Sequence, residues 1–319
     1  MKTFIKKIFI YVGLLSVLVL LFVLLIAARP ELVDNFYRRF TTPRGKSLVL
    51  GTSRSAQGIK PAVFNERLTT QNNAMINHSF AIGPSSFGPN YLREVKHKID
   101  QETENGLFII SVDPWSLATD IDNIEDDTAK FFEVRQKLFV GNLSSSSTNP
   151  NFGYLKNYWS NRFSLFGNLF KHWINYKNLI ILHEDGWLEV NVELNMPVIN
   201  QRIKQSTEEY AQKKMMISNT RLKYLSKIIE FLQEKGTVVL VRMPVSVPMY
   251  ELEQNRFTDF SERIAAIANS HEILFYDFID MSGRFQTVDT HHLYKKDAEV
   301  FSNILCDSIS NAGIFGQGK

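Results

Sequence analysis

From Ile8 to Ala28 the chain reads IFIYVGLLSVLVLLFVLLIAA, 21 residues without a charge. At about 1.5 Å of helical rise per residue this run reaches roughly 31 Å, the depth of a bilayer's hydrocarbon core. Lys2, Lys6 and Lys7 precede it, and basic residues favour the cytoplasmic side. Residues 1–7 are therefore expected in the cytoplasm, 8–28 as a transmembrane signal-anchor, and the rest outside the cytoplasmic membrane. A cleaved signal peptide is the rival reading. Its apolar region usually runs about 7–15 residues, although the Ala27-Ala28 pair leaves cleavage open. No second run of this kind occurs, so the expectation is a single-pass protein with one exported domain. Residues 29–45 read as a stalk, whose cluster of Phe36, Tyr37, Arg38, Arg39 and Phe40 suits the headgroup level.

The exported part, 46–319, has room for one large or two ordinary domains. With 44% hydrophobic and 22% charged residues, the chain is neither disordered nor collagen-like. A net charge of +3 gives no support to nucleic-acid binding, and none is expected. Cys306 stands alone, which excludes an intramolecular disulfide and a cysteine-rich zinc site.

Short apolar runs read as buried strands: Lys46–Leu50, Met75-Ile76, Leu107–Val112, Thr237–Val241 and Ile273–Tyr276. Between them lie helical patterns. Leu222, Leu225, Ile229 and Leu232 share one face, and Gly236 stands where a helix C-cap would sit. A last helix over Asp297–Ile309 would turn Val300, Ile304 and Ile309 inward. Strands alternating with helices predict an α/β three-layer sandwich with a central parallel sheet, flavodoxin-like in outline. The stretch from about 119 to 218 breaks the rhythm and is too long for a simple crossover. It holds Trp159, Phe163, Phe166, Phe170, Trp173, Tyr176 and Trp187. A largely helical insertion fits it, serving either as a substrate-facing lid or as a plain extra core layer.

Two segments carry the chemistry. Gly51-Thr-Ser-Arg-Ser55 follows the first strand directly, and ligands of parallel α/β sheets sit beyond the carboxyl ends of strands. The same text also describes an ordinary helix N-cap. Asp289-Thr-His-His-Leu293 precedes the last helix. A serine hydroxyl needs a base to take its proton, and a histidine base needs a third group to fix its tautomer. Asp and His three apart on a tight turn can bond each other, which selects Asp289 with His292 and leaves His291 as a neighbour. The bland alternative is a turn aspartate with two solvated histidines. Consecutive histidines are expected to diverge, so no metal and no other cofactor is predicted.

Taken together, these two segments resemble the SGNH (GDSL-like) hydrolase superfamily, over about Lys46 to Ile309. Within it, the anchor and the two motif forms resemble the exported branch that includes the D-alanine transfer protein of teichoic-acid synthesis and the alginate acetylation proteins. The resemblance implies that Ser53 is the nucleophile, His292 the general base and Asp289 its orienter. It further implies an oxyanion hole with a backbone N–H from Gly83, in the block Asn77–Gly83, to which Asn77 could add a side-chain donor. The family's third block ends Gly-x-Asn-Asp, whereas Ser111-Val-Asp-Pro114 places Asp113 near the expected asparagine. An ionised carboxylate has no proton to give, and losing one such donor costs about 2.7–4 kcal/mol, or 10²–10³ in rate. Arg242, at the end of the fourth strand, could pair with a phosphate or carboxylate of a substrate, or sit in a surface ion pair.

Two functions follow as expectations. One is an anchored serine acyl-esterase or O-acyltransferase acting on an acylated glycan or other envelope polymer. The family's transferase members imply a multi-pass membrane acyltransferase as its partner. The other is a catalytically inactive binding or assembly factor for envelope-polymer modification, suggested by Asp113.

Overall fold

The computed structural model describes residues 1–27, 36–68, 74–83, 87–121, 143–161 and 179–313. Helix α1, Lys2–Ala27, is long and apolar enough to cross a membrane, and none of its described side chains, residues 2–25, is buried. Then follow β1 (Ser47–Leu50), α2 (Ser53–Gly58), α3 (Pro61–Arg67), β2 (Met75–Asn77), α4 (Pro89–Lys98) and β3 (Gly106–Ser111). The region of the expected insertion contributes β4 (Ala118–Asp120), α5 (Phe152–Asn161), β5 (Ile180–Leu182), β6 (Leu188–Val190), α6 (Met196–Ala211) and β7 (Met215–Ile217). The domain closes with α7 (Asn219–Gln233), β8 (Gly236–Arg242), α8 (Val247–Arg256), α9 (Phe260–Ser270), β9 (Leu274–Asp277) and α10 (Lys295–Asn311).

All five apolar runs become strands of one parallel sheet, ordered β2-β1-β3-β8-β9. Both faces are covered, as a parallel sheet requires. Leu48 and Leu50 of β1, Phe108 and Ile110 of β3, and Val238 and Leu240 of β8 point to one side, with Tyr91 and Val95 of α4, Leu225 and Ile229 of α7, and Ile264 of α9. Their neighbours Val49, Ile109 and Val239 point to the other, against Phe64 of α3 and Phe301, Leu305 and Ile309 of α10. This is an α/β three-layer sandwich. Counting only its own strands, the order is 2-1-3-4-5, so the chain reverses direction across the sheet between β1 and β3, where such folds bind ligands.

Local expectations fare unevenly. Leu225, Ile229 and Leu232 are buried on α7 and Leu222 packs at their edge. On α10 the inward stripe is Ala298, Phe301, Leu305 and Ile309, while Val300 is 53% exposed. Val300 faces outward, contrary to the sequence expectation: an apolar residue next to the true stripe mimics its period. Gly236 does not cap α7. It opens β8 at φ +156°, where a Cβ would come within 2.1 Å of the Gly106 carbonyl oxygen across the strand pair. Residues 37–45 are no free stalk: Tyr37, Arg39 and Phe40 are buried in the domain. Arg39 donates to the carbonyls of Asn77 (3.1 Å) and Gly186 (2.6 Å). Among the described residues of the insertion, two helices accompany two antiparallel pairs, β4–β7 and β5–β6. Phe163, Phe166, Phe170, Trp173 and Tyr176 lie outside the described residues, as does the side chain of Trp159.

Candidate active site

Strand β1 ends at the reversal point, and its last turn is tightly determined. Gly51 sits at φ +139°, and a Cβ there would lie 2.5 Å from Ser55 Oγ and 2.8 Å from Ser111. Only glycine fits such a backbone against such neighbours. Its N–H donates to Tyr91 Oη at 3.0 Å. Thr52 Oγ1 donates to Asp113 Oδ2 (3.0 Å) from across the gap between β1 and β3. Ser53 then begins α2, where the first backbone N–H groups of a helix have no intrahelical acceptor.

The Asp289–His292 turn reaches this point from the far end of the domain. Asp289 Oδ1 accepts the backbone N–H groups of His291 and His292, both at 2.9 Å. Its Oδ2 lies 2.7 Å from His292 Nδ1, and His292 Nε2 lies 2.8 Å from Ser53 Oγ. A neutral imidazole satisfies both contacts in one tautomer, with its proton on Nδ1 toward the carboxylate and Nε2 accepting from the hydroxyl. Burial works to raise the Asp289 pKa, but His292 and its hydrogen bond outweigh it and hold the carboxyl well below the usual range. The aspartate therefore stays ionised and can orient the ring. The structure thus joins Ser53, His292 and Asp289 in one hydrogen-bonded chain.

His291 does not diverge from His292. Their ring centroids are 4.2 Å apart, because Thr290 Oγ1 holds His291 Nδ1 at 2.8 Å and Tyr210 packs its ring against His291. Burial, above all, keeps His291 from protonating. The expected divergence is therefore corrected: donor atoms of Asp289, His291 and His292 lie within 4.8 Å of one another, close enough to hold a cation. A metal there would have to displace the Asp289–His292 bond or compete with Ser53. Dialysis against EDTA is accordingly expected to leave any serine-dependent turnover unchanged. Activity lost on chelation and restored by zinc would assign the cluster to a metal instead.

The remaining sequence candidates take other places. Asn77 does not face an oxyanion: both N–H groups of its amide are occupied, donating to the carbonyls of Ser55 (2.8 Å) and Ile59 (3.0 Å), and so it holds α2. Asp113 is likewise an acceptor only, taking Thr52 Oγ1 on one oxygen and the Ser116 N–H (3.0 Å) on the other. Gly83 lies half-buried in a turn bordering residues 84–86, which are outside the described set, and a Cβ there would meet nothing within 4 Å. Arg242 is neither a substrate group nor a surface ion pair. It is 1% exposed, bonded to Glu253 Oε2 (3.0 Å) and Ser261 Oγ (2.8 Å).

Sequence reading missed Glu253, Arg54 and Tyr210. Glu253 is wholly buried and also binds Arg54 Nη2 (2.6 Å) and Trp115 Nε1 (2.9 Å), so it ties α8 to the residue after Ser53. Burial raises its pKa, but the two guanidinium groups win and hold it low. Glu253→Gln leaves two buried arginines under-compensated, a change that costs about 3–5 kcal/mol. The expected loss is about 10 °C in melting temperature, and a variant melting with the wild type would show that the pair contributes nothing. From the insertion, α6 brings Ser206 Oγ to 3.1 Å from Thr290 Oγ1 and sets Tyr210 against His291. The β5–β6 hairpin bonds α2 through Trp187 Nε1 to Gln57 O (2.8 Å). Described parts of the insertion therefore touch both elements that carry the site, the Asp289–His292 turn through α6 and α2 through the β5–β6 hairpin. No protein-family model matches this chain, and no curated protein matches it either.

Proposed function

We propose that this chain is a membrane-anchored serine acyl enzyme, an esterase or O-acyltransferase of the SGNH type. The observation that carries the reading is the unbroken Asp289–His292–Ser53 chain, with contacts of 2.7 and 2.8 Å. In the proposed reaction Ser53 Oγ bonds to the carbonyl carbon of an ester as its proton passes to His292 Nε2. The carbonyl π pair moves to oxygen. When the carbonyl re-forms, the alcohol leaves with the proton from His292, and the acyl group stays on Ser53. A sugar hydroxyl or water, deprotonated by the same histidine, then releases it. The packing of α6 on the Thr290–His291 turn supports transfer to the hydroxyl of a bound acceptor over hydrolysis.

Helix α1, long and apolar enough to cross a membrane, supports work at the cell envelope. With the domain on the outer side of the cytoplasmic membrane, the substrate is an acylated envelope polysaccharide or related polymer, and a multi-pass membrane acyltransferase supplies the acyl group. A second reading, an inactive binding or assembly factor, draws on Asp113 and Asn77, neither of which has a free proton for an oxyanion. A fluorophosphonate probe separates the two. Capture by the folded full chain, abolished in Ser53→Ala, supports the enzyme; a folded protein that takes no probe supports the binding factor.

A further inference from the structure

An acyl-transfer oxyanion needs donors fixed in place before the charge develops, and the side chains of Asn77 and Asp113 are committed elsewhere. Tyr210 offers what they lack. Its ring packs edge-on against Trp115 (4.6 Å) and His291 (5.6 Å), and the His291 ring is 4.2 Å from that of His292, whose Nε2 touches Ser53. The charges of Arg54, Asp113, Asp289 and Glu253 all act on the phenol. Its hydroxyl makes no hydrogen bond to any described residue. Burial, the foremost influence on it, pushes its pKa up, so it keeps its proton and remains a donor. The end of α6 that carries it is held by Arg256, which donates to the carbonyls of Tyr210, Ala211 and Lys213. Such a clamp is what a preorganised group requires.

We infer that the Tyr210 hydroxyl donates to the oxyanion formed at Ser53, which makes Tyr210 a catalytic residue of the acyl transfer proposed above. The inference rests on that reading. As Ser53 Oγ bonds to the carbonyl carbon and its proton moves to His292, the former carbonyl oxygen takes the π pair and accepts the Tyr210 O–H. The bond weakens again when the carbonyl re-forms and the alcohol departs.

The test is Tyr210→Phe in the full chain in detergent micelles, with p-nitrophenyl acetate turnover and fluorophosphonate capture as readouts. The ring and its packing stay; only the O–H goes. The expected result is a kcat and a capture rate lower by about 10²–10³, with KM and melting temperature near the wild-type values. Unchanged kcat in an otherwise active background overturns the inference and leaves the proposed function standing. A fall in kcat that comes with a matching fall in melting temperature overturns it too, by making the role structural. A folded wild type that neither turns over the ester nor takes the probe removes both the inference and the function beneath it.

Discussion

On the proposed mechanism, Ser53→Ala and His292→Ala should each lower acyl turnover by about 10⁴–10⁶, because members of a serine triad act as one unit and the loss of either removes the nucleophile or its activation. The two variants differ in what remains. Ser53→Ala has no atom to carry the acyl group and should show no fluorophosphonate adduct at all. His292→Ala keeps the hydroxyl, so slow capture that rises with pH is expected as hydroxide replaces the imidazole. Asp289→Asn should fall between wild type and these, since the amide can no longer act as an ionised partner for His292 Nδ1, the atom it now touches at 2.7 Å. His291→Ala is the control on assignment. His291 bonds Thr290 and packs on Tyr210, so its loss should cost far less. Near-normal turnover in His292→Ala together with loss in His291→Ala would overturn the choice of base, and equal turnover in all four variants would remove the serine mechanism.

What could be read from the residues followed from how local each signal is. The five strands were visible because a parallel strand covered on both faces is a bare apolar run. Ser53 and the Asp289–His292 pair stood out because each is a short turn whose geometry is set within four residues. Their meeting across 239 positions is a property of the sheet. Arg242 lay at a strand end on the functional edge, yet its side chain turns toward Glu253, 11 residues on, and nothing in the sequence marks that partner. The Arg54–Glu253 bond spans 199 residues without any periodic signature. Tyr210 sits in a stretch with many aromatics, and only the packing of α6 onto the Thr290–His291 turn distinguishes it. Asn77 departs from expectation for a related reason: an amide near a candidate nucleophile looks like a donor to substrate until its two backbone acceptors are known.

A chain that begins at Pro30 should fold without the anchor, whereas one that begins at Lys46 should not, although the first apolar run of the domain starts at 46. The difference lies in residues 37–45. Tyr37 and Phe40 are fully buried, packed on Tyr154 with ring centroids 5.1 and 4.8 Å away, and Tyr37 Oη accepts the Asn151 N–H at 2.9 Å. Emptying the space of one buried aromatic costs about 3–5 kcal/mol. Two of them therefore approach the whole net stability of an ordinary domain, about 5–15 kcal/mol. The ammonium of Lys98 adds to the loss. Its four acceptors are the carbonyls of Arg39 (2.6 Å), Thr42 (2.8 Å) and Ser146 (3.0 Å) and the Thr42 hydroxyl (2.9 Å), and three of these four depart with the segment. Burial already lowers the Lys98 pKa to about 7, so with its acceptors gone the amine would shed its proton or draw water into the core. The fragment from Pro30 is expected to melt in one cooperative transition and to resist brief proteolysis. The fragment from Lys46 is expected to aggregate or to melt without cooperativity, and if the two melt within a few degrees of each other, residues 37–45 are a tether after all.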